Sequence, residues 1–600
     1  MGVLVHNRTL DTPATAGVNP SPYFSVRLLR AIARCIDSYP WAAFLLLTVG
    51  CGWIRIGAFA TRFLDHDEIY SFYIAQAPTL KQMLFLTRTV DLHPPLSYLL
   101  IRLSFALFGP SIWACRLPFF LAFPGATAIL FSFVRRLLSP LYGLIAVLFL
   151  WTIPYTHYAA EARPYSLVLC FTSLLLMSWY ESAAGADSSS AGRGKALFTV
   201  TLAGFALLLS HVLGVFSIAA FAGAELIRLA IRRKPDWSLW TAFLIPGIAV
   251  VTYLPLIHSG SVILFTEKYR ATPLRLFHFY WNSLAWLPIP LAFVLFLAVA
   301  WPAMRHSAPL SQSCEPERQM PPAAFRSLKY LLFFFAIVPL GIGALFARTG
   351  MAFFDRYGIV FFIPIALGPV FLLAVRTRCD QFAGALAALV LGAVLIFNTV
   401  GKIWLIEHVS LAPPSIAAQI IHLVSLPVVG LPTNPPVPSH MVAAFANAQP
   451  IQDLNTISPN LPLVANTGLT FLEMDRQADD VLTARLYLLN DTNAATEIAH
   501  DTVFENYARL KRVFPIRGRI EPFCPFIGAH PRFLVLGDYN HAQGWVLKKL
   551  DREGAELRVL GSYSEHTTED GHLYEVTVNN ATCASSVSND KTVEKTAQSN

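Results

Sequence analysis

Eleven apolar runs, each ended by charge or by helix-breaking residues, constrain this chain more than any motif in it. They lie near 40–60, 117–134, 141–157, 165–180, 196–210, 212–230, 238–256, 283–302, 328–346, 358–375 and 381–405. Several are shorter than the ~20 residues of a perpendicular span, so length alone does not fix their ends. A backbone in hydrocarbon must satisfy its own hydrogen bonds, and continuous apolar runs of this length do so as helices. Composition agrees: 55% of residues are hydrophobic, 14% are charged and the mean hydropathy is +0.51. A soluble domain carries roughly 25% charged residues. The expected fold is an all-α polytopic membrane bundle.

Basic residues fall at alternate ends of these runs. Arg27, Arg30 and Arg34 precede the first, and Arg135 and Arg136 follow the second. Arg193 and Lys195 follow the fourth, and Arg232, Arg233 and Lys234 follow the sixth. Arg305, Arg318, Arg326 and Lys329 follow the eighth, and Arg376 and Arg378 the tenth. The positive-inside rule places all of them in the cytoplasm, so eleven spans leave the C-terminus outside the cytoplasmic (inner) membrane. The net charge of +8 and pI near 9.0 then reflect anionic lipid rather than nucleic acid. No cleaved signal peptide is expected, since sustained apolar character begins only near Trp41. Eight scattered cysteines form no CxxC pair; Cys524 and Cys583 would meet an oxidising compartment, where pairing and two unrelated thiols are both open.

This map makes 61–116 one long external loop with amphipathic pieces at 78–86 and 96–108. The second piece is too short to cross and is expected to lie along the interface; a span there would put Arg232–Lys234 outside. The domains expected are a cytoplasmic segment 1–39, a transmembrane module 40–405, a Pro-rich linker 406–440, an extracytoplasmic α/β domain 441–580 and a disordered tail 581–600. Cytoplasmic linkers are expected at 183–194 and 305–322. Within the C-terminal domain, 461–465, 532–537, 555–563 and 572–578 read as strands, and 478–490, 495–511 and 541–553 as helices.

Four charged motifs fall outside on this map, which did not use them. They are Asp65-His66-Asp67-Glu68, Asp91-Leu92-His93-Pro94-Pro95, the stretch His157 to Tyr165 with Glu161 and Arg163, and Phe354-Asp355-Arg356-Tyr357. Intramembrane charge costs about 2.5–3.5 kcal/mol per residue on insertion scales, so it persists where function needs it. Carboxylates, histidines and arginines at an outer interface suit a lipid-linked donor with a phosphate leaving group. A carboxylate takes the proton of an acceptor hydroxyl, and an arginine fork pairs with the departing phosphate. The transition state is oxocarbenium-like, so a nearby anion also helps.

Asp67-Glu68, His93-Pro94-Pro95-Leu96, Glu161-Ala-Arg163-Pro164-Tyr165 and Arg356-Tyr357, in this order, resemble the GT-C glycosyltransferases. The likeness over roughly 40–405 is to bacterial members of the dolichyl-phosphate-mannose protein mannosyltransferase and aminoarabinose transferase superfamily (families 39 and 83). It implies a polytopic bundle with interfacial helices in the first external loop. It also implies a polyprenyl-phosphate sugar donor, an inverting transfer and a lipid, glycan or protein acceptor. The family's candidate base falls on Asp67, with Glu68 beside it and Asp65 as a rival. Donor binding falls to His93, Glu161, Arg163, Tyr165, Arg356 and Tyr357.

Duller readings stand beside these. Pro94-Pro95 can simply start a helix, and His157 can be a satisfied histidine. Arg163 can snorkel, or pair with Glu161 or Asp67. Asp355-Arg356 can be a loop pair of little worth. His66, Asp67 and His93 are candidates for a divalent ion, although no other cofactor is indicated and the spacing fits no dedicated site. A secondary transporter would instead show midplane charges and an internal repeat. An envelope scaffold would leave the four motifs without a purpose.

Overall fold

In the computed structural model of the protein, the described residues are 23–60, 63–153, 158, 161–185, 191–253, 270–284, 287–304, 322–397, 448–563 and 571–578. The helices of the first part are α1 (Tyr23–Ser38), α2 (Pro40–Ala60), α3 (His66–Ala75), α4 (Leu80–Thr89), α5 (Leu96–Phe108) and α6 (Ile112–Leu137). Then come α7 (Pro140–Thr152), α8 (Tyr165–Ala184), α9 (Ala191–Ser210), α10 (Gly214–Arg232) and α11 (Trp237–Leu244). The bundle closes with α12 (Pro273–Leu284), α13 (Pro288–Met304), α14 (Pro322–Thr349), α15 (Phe362–Thr377) and α16 (Gln381–Ile396). Their ends follow from sequence. Ser111 Oγ accepts from the Ala114 amide (3.2 Å) to cap α6, and Ser139 precedes Pro140 in the first turn of α7. Arg233 and Arg378 close α10 and α15 in the left-handed region (φ 55° and 54°).

Six helical segments among the described residues are long and apolar enough to cross a membrane: α6, α8, α9, α10, α14 and 355–377. The bent pairs α1–α2 (102°) and α12–α13 (67°) raise this to eight if each is one span. The other expected spans fall on shorter apolar helices: α7, the segment 237–251 and α16. The protein is a multi-pass membrane protein, and its bundle is all-α. Helix α7 sits at the centre, with every residue from Leu141 to Thr152 buried. A position surrounded by other helices explains a sequence with no polar face. The piece 96–108 forms the 13-residue helix α5, as the sequence implied.

The C-terminal part is a six-stranded sheet in the order β3-β2-β1-β4-β6-β5. Its strands are β1 (Leu463–Ala465), β2 (Leu486–Asn490), β3 (Arg519–Pro522), β4 (Arg532–Gly537), β5 (Glu556–Tyr563) and β6 (Gly571–Thr577). The first four pair in parallel, and β6 joins β4 and β5 antiparallel. A small α/β domain is therefore present, but two of its expected helices are not as read. Residues 478–490 give only a short helix at Asp480–Ala484, followed by the buried strand β2. A continuous apolar run such as Leu486-Tyr-Leu-Leu has no period that separates a buried strand from a helix. Residues 495–511 break into short turns rather than one helix. Helix α17 (Gly468–Gln477) lies between this sheet and α3. One apolar core unites them: Ile69, Tyr70, Phe72, Tyr73 and Ile74 pack with Phe471, Leu472, Tyr507 and Phe514. The linker 406–440, the tail 581–600 and linker residues 305–321 lie outside the described residues.

Candidate active site

The site gathers at one end of the bundle around the first turn of α3. Asp65 caps that helix: its Oδ1 accepts from the Glu68 amide (2.9 Å), while Glu68 accepts from the Asp65 amide (3.1 Å). This reciprocal box leaves Asp67 between the two, pointing into the site. Glu68 itself is fully buried and enclosed. Arg116 of α6 grips it as a fork (2.7 and 2.6 Å), and the Ala162 amide adds a third bond (2.8 Å). Glu68 thus ties α3, α6 and the turn before α8 into one frame.

Arg163 emerges from that turn and forms a two-pronged pair with Asp91, Nη1 to Oδ2 at 2.6 Å and Nη2 to Oδ1 at 3.2 Å. The Tyr98 hydroxyl donates to the same carboxylate (2.5 Å), and His93 turns its Nδ1 to the Asp91 carbonyl (2.6 Å). Asp67 lies 3.8 Å from Arg163 Nε and 3.0 Å from Arg356 Nη2. Burial works against ionised Asp67, but Arg163, Arg356 and His66 outweigh it and hold the carboxyl well below the usual range. Asp91 behaves alike: burial opposes its charge, and Arg163 with His93 keeps it low. Glu161 goes the other way. Burial first, then the neighbouring Asp65 and Glu68, push its carboxyl up to about 8.

Arg356 comes from the 3₁₀ turn Asp355–Phe361 that leads into α15. Its guanidinium lies over Tyr165 (5.7 Å) and Phe354 (4.7 Å), and its buried Nε has no hydrogen-bond partner. Gly358 lets this turn sit flush on α12, since a Cβ there would stand 2.2 Å from the Phe279 ring. Arg356, Tyr357, Tyr165 and His211 form the polar side of a pocket whose other walls are apolar, among them Leu213, Val338, Ile342 and Val360.

The structure brings together residues from all four motifs: Asp67, Asp91, His93, Glu161, Arg163, Tyr165, Arg356 and Tyr357. Arg163 neither snorkels nor pairs with Glu161 in the described contacts; its partners are Asp91 and Asp67. Pro95 does start a helix, standing at the N-cap of α5. Among the described residues no three His, Cys, Asp or Glu side chains are grouped to hold a metal. His66 faces Asp67 through Nδ1 (3.5 Å) and Tyr507 through Nε2, while His93 turns to Asp91, so the three candidates are not grouped. His157 lies outside the described residues. Sequence reasoning missed His211, whose ring is 5.2 Å from His93 and whose buried Nε2 has no partner. The signal was available, because residue 211 falls at an external end between two spans on the charge map. It also missed Arg116, Tyr98 and the contacts from the C-terminal domain, which no local pattern announces.

Residues 92–258, which carry His93-Pro94-Pro95 of the second motif and all of the third, match the profile of the dolichyl-phosphate-mannose-protein mannosyltransferase family. The chain resembles the GT-C membrane glycosyltransferases. Among solved structures it is similar to ArnT from Cupriavidus metallidurans bound to undecaprenyl phosphate, with 13% identity and a TM-score of 0.45 over 92% of this chain and 98% of that one. The apo state of the same ArnT gives 13% identity and 0.40 over 89% and 97%. The Archaeoglobus fulgidus oligosaccharyltransferase in complex with Zn and sulfate gives 11% and 0.40 over 88% and 72%. No curated protein matches the chain in a sequence comparison.

Proposed function

We propose that the chain transfers a sugar from a polyprenyl-phosphate carrier to a lipid, glycan or protein acceptor on the outer face of the cytoplasmic membrane, with Asp67 as the base. The observation that carries this is the division of labour among carboxylates. Asp65 caps a helix, Glu68 is enclosed by Arg116, and Asp91 is held by Arg163 and Tyr98. Asp67 is the ionised one whose side chain stays 27% exposed.

In the reaction the acceptor oxygen attacks the anomeric carbon from the face opposite the phosphate. The new C–O bond forms as the bond to phosphate breaks, the proton passes to Asp67, and polyprenyl phosphate leaves as an anion. Arg356 suits the phosphate, since its Nε is unspent and it opens on the apolar pocket, which suits the first isoprene units. Arg163 Nε has no hydrogen-bond partner either, but both of its Nη groups are forked onto Asp91, so it positions rather than binds. A carboxylate locked between two arginines is a poor base. Phosphate drawing Arg356 away from Asp67 raises its proton affinity at the moment the donor is in place. Glu161, kept neutral, can donate a hydrogen bond near the phosphate without repelling it.

Cys524 is disulfide-bonded, which supports an oxidising compartment for the C-terminal domain; Cys583 lies outside the described residues. Incubation of purified protein with a panel of radiolabelled polyprenyl-phosphate sugars and membrane extract tests the reading. Wild type should transfer label, Asp67→Asn should abolish transfer while folding persists, and Asp65→Asn should retain part of it. Full turnover in Asp67→Asn with none in Asp65→Asn moves the base to Asp65; full turnover in both removes the mechanism.

A further inference from the structure

The C-terminal domain reaches into this site at one point. The Tyr507 hydroxyl meets His66 Nε2, and the other ring nitrogen, Nδ1, lies 3.5 Å from Asp67 Oδ1. The two rings are nearly parallel (9°), and His66 is boxed by Tyr70 at 4.9 Å and Phe504 at 5.9 Å. Glu473 of α17 accepts from the His66 amide (3.2 Å), and Gln477 donates to the Leu64 carbonyl (3.3 Å). Arg476 lies over the rings of Phe72 (4.5 Å) and Tyr73 (5.7 Å). The domain therefore holds the first turns of α3 through His66, Leu64, Phe72 and Tyr73.

We propose that Tyr507 is a positioning residue for the base, acting through His66. Resting on Asp67 as that base, the inference gives the domain a place in the catalytic frame rather than beside it. The physical reason is the tautomer. In the tautomer this assigns, the Tyr507 hydroxyl donates to Nε2 and the ring carries its proton on Nδ1, the nitrogen that faces Asp67. The donated hydrogen bond orients the carboxylate and fixes which of its oxygens meets the acceptor. Tyr507 is fully buried, and its hydroxyl has two side-chain partners there, His66 Nε2 and the Tyr70 hydroxyl, which together hold it in place.

The test is a double-mutant cycle in the full-length protein with the same radiolabelled donor panel. Tyr507→Phe keeps the ring and removes only the hydroxyl. It should lower kcat on the order of 10-fold, the scale on which loss of an orienting partner behind a histidine registers. KM for the donor and the thermal midpoint should hold. His66→Ala should lower kcat similarly, and the double variant should be no worse than His66→Ala, because the two act as one unit. Phe514→Leu loosens the packing against Tyr70 and Tyr73 at the same interface without touching His66. It should lower the thermal midpoint and spare kcat. Unchanged kcat in Tyr507→Phe, or an equal loss on top of His66→Ala, would overturn the proposal while leaving Asp67 in place. Turnover surviving in Asp67→Asn would overturn the base assignment and this inference with it.

Discussion

Arg163 and Arg356 both approach Asp67, yet their replacement should fail in different ways. Arg163 is nearly buried, with its side chain 4% exposed, and it holds Asp91 by two bonds at 2.6 and 3.2 Å. Removing one partner of such a pair leaves an uncompensated buried charge and costs about 3–5 kcal/mol of stability. Arg356 is more open, at 23%, with one carboxylate contact at 3.0 Å and an Nε that bonds nothing. Its pairing with Asp67 is a single, part-exposed contact and contributes less to folding than the buried Arg163–Asp91 fork. Its value is on the donor, where losing a desolvated charge-assisted contact costs about 2–4 kcal/mol, or roughly 30- to 1,000-fold. Arg163→Ala should therefore lower the thermal midpoint sharply, whereas Arg356→Ala should lower it far less and raise KM for the polyprenyl-phosphate sugar. Lysine at 356 should rescue only part, because a point charge lacks the fork. Thermal melts in detergent and donor titrations with labelled sugar separate the two. An unchanged donor KM in Arg356→Ala, with a raised one in a stable Arg163→Ala, would exchange the roles; full activity in both would remove the arginines from the mechanism.

Glu68→Ala should cost about 3–5 kcal/mol by stranding Arg116, read as a lower thermal midpoint, even before activity is measured. Glu161 tests the sign of a pH effect. Its carboxyl is raised from 4.5 to about 8, so the folded state keeps a proton that the unfolded chain has released, and stability falls as pH rises across that window. Glu161→Gln mimics the neutral acid and should transfer normally. Its advantage in thermal midpoint over wild type should grow from pH 5 to 8, and a pH-independent difference would show that Glu161 is ionised. Alkaline phosphatase fused after residue 600 should be active and green fluorescent protein dark, as the basic-loop pattern requires. The opposite pattern would mean a miscounted span.

The sequence by itself determined the class, the approximate place of the spans and the gathering of four motifs at one end. Helices in hydrocarbon must be long, apolar and bounded by charge, so their approximate places are written locally. Leu96–Phe108 came out as one short helix for the same reason. Only the tertiary structure decided which partners each charged residue meets. Asp65, Asp67 and Glu68 are neighbours of like charge, and no local rule separates a helix cap, a part-exposed carboxylate and a buried anchor. Arg116, 48 residues on, grips Glu68, and Arg163 forks onto Asp91. The strand β2 reads as helix because burial on both faces erases its period. Tyr507 reaches His66 across 441 residues, through a domain whose sequence carries no motif of its own. Contacts of that separation arise from packing, and packing is a property of the whole fold.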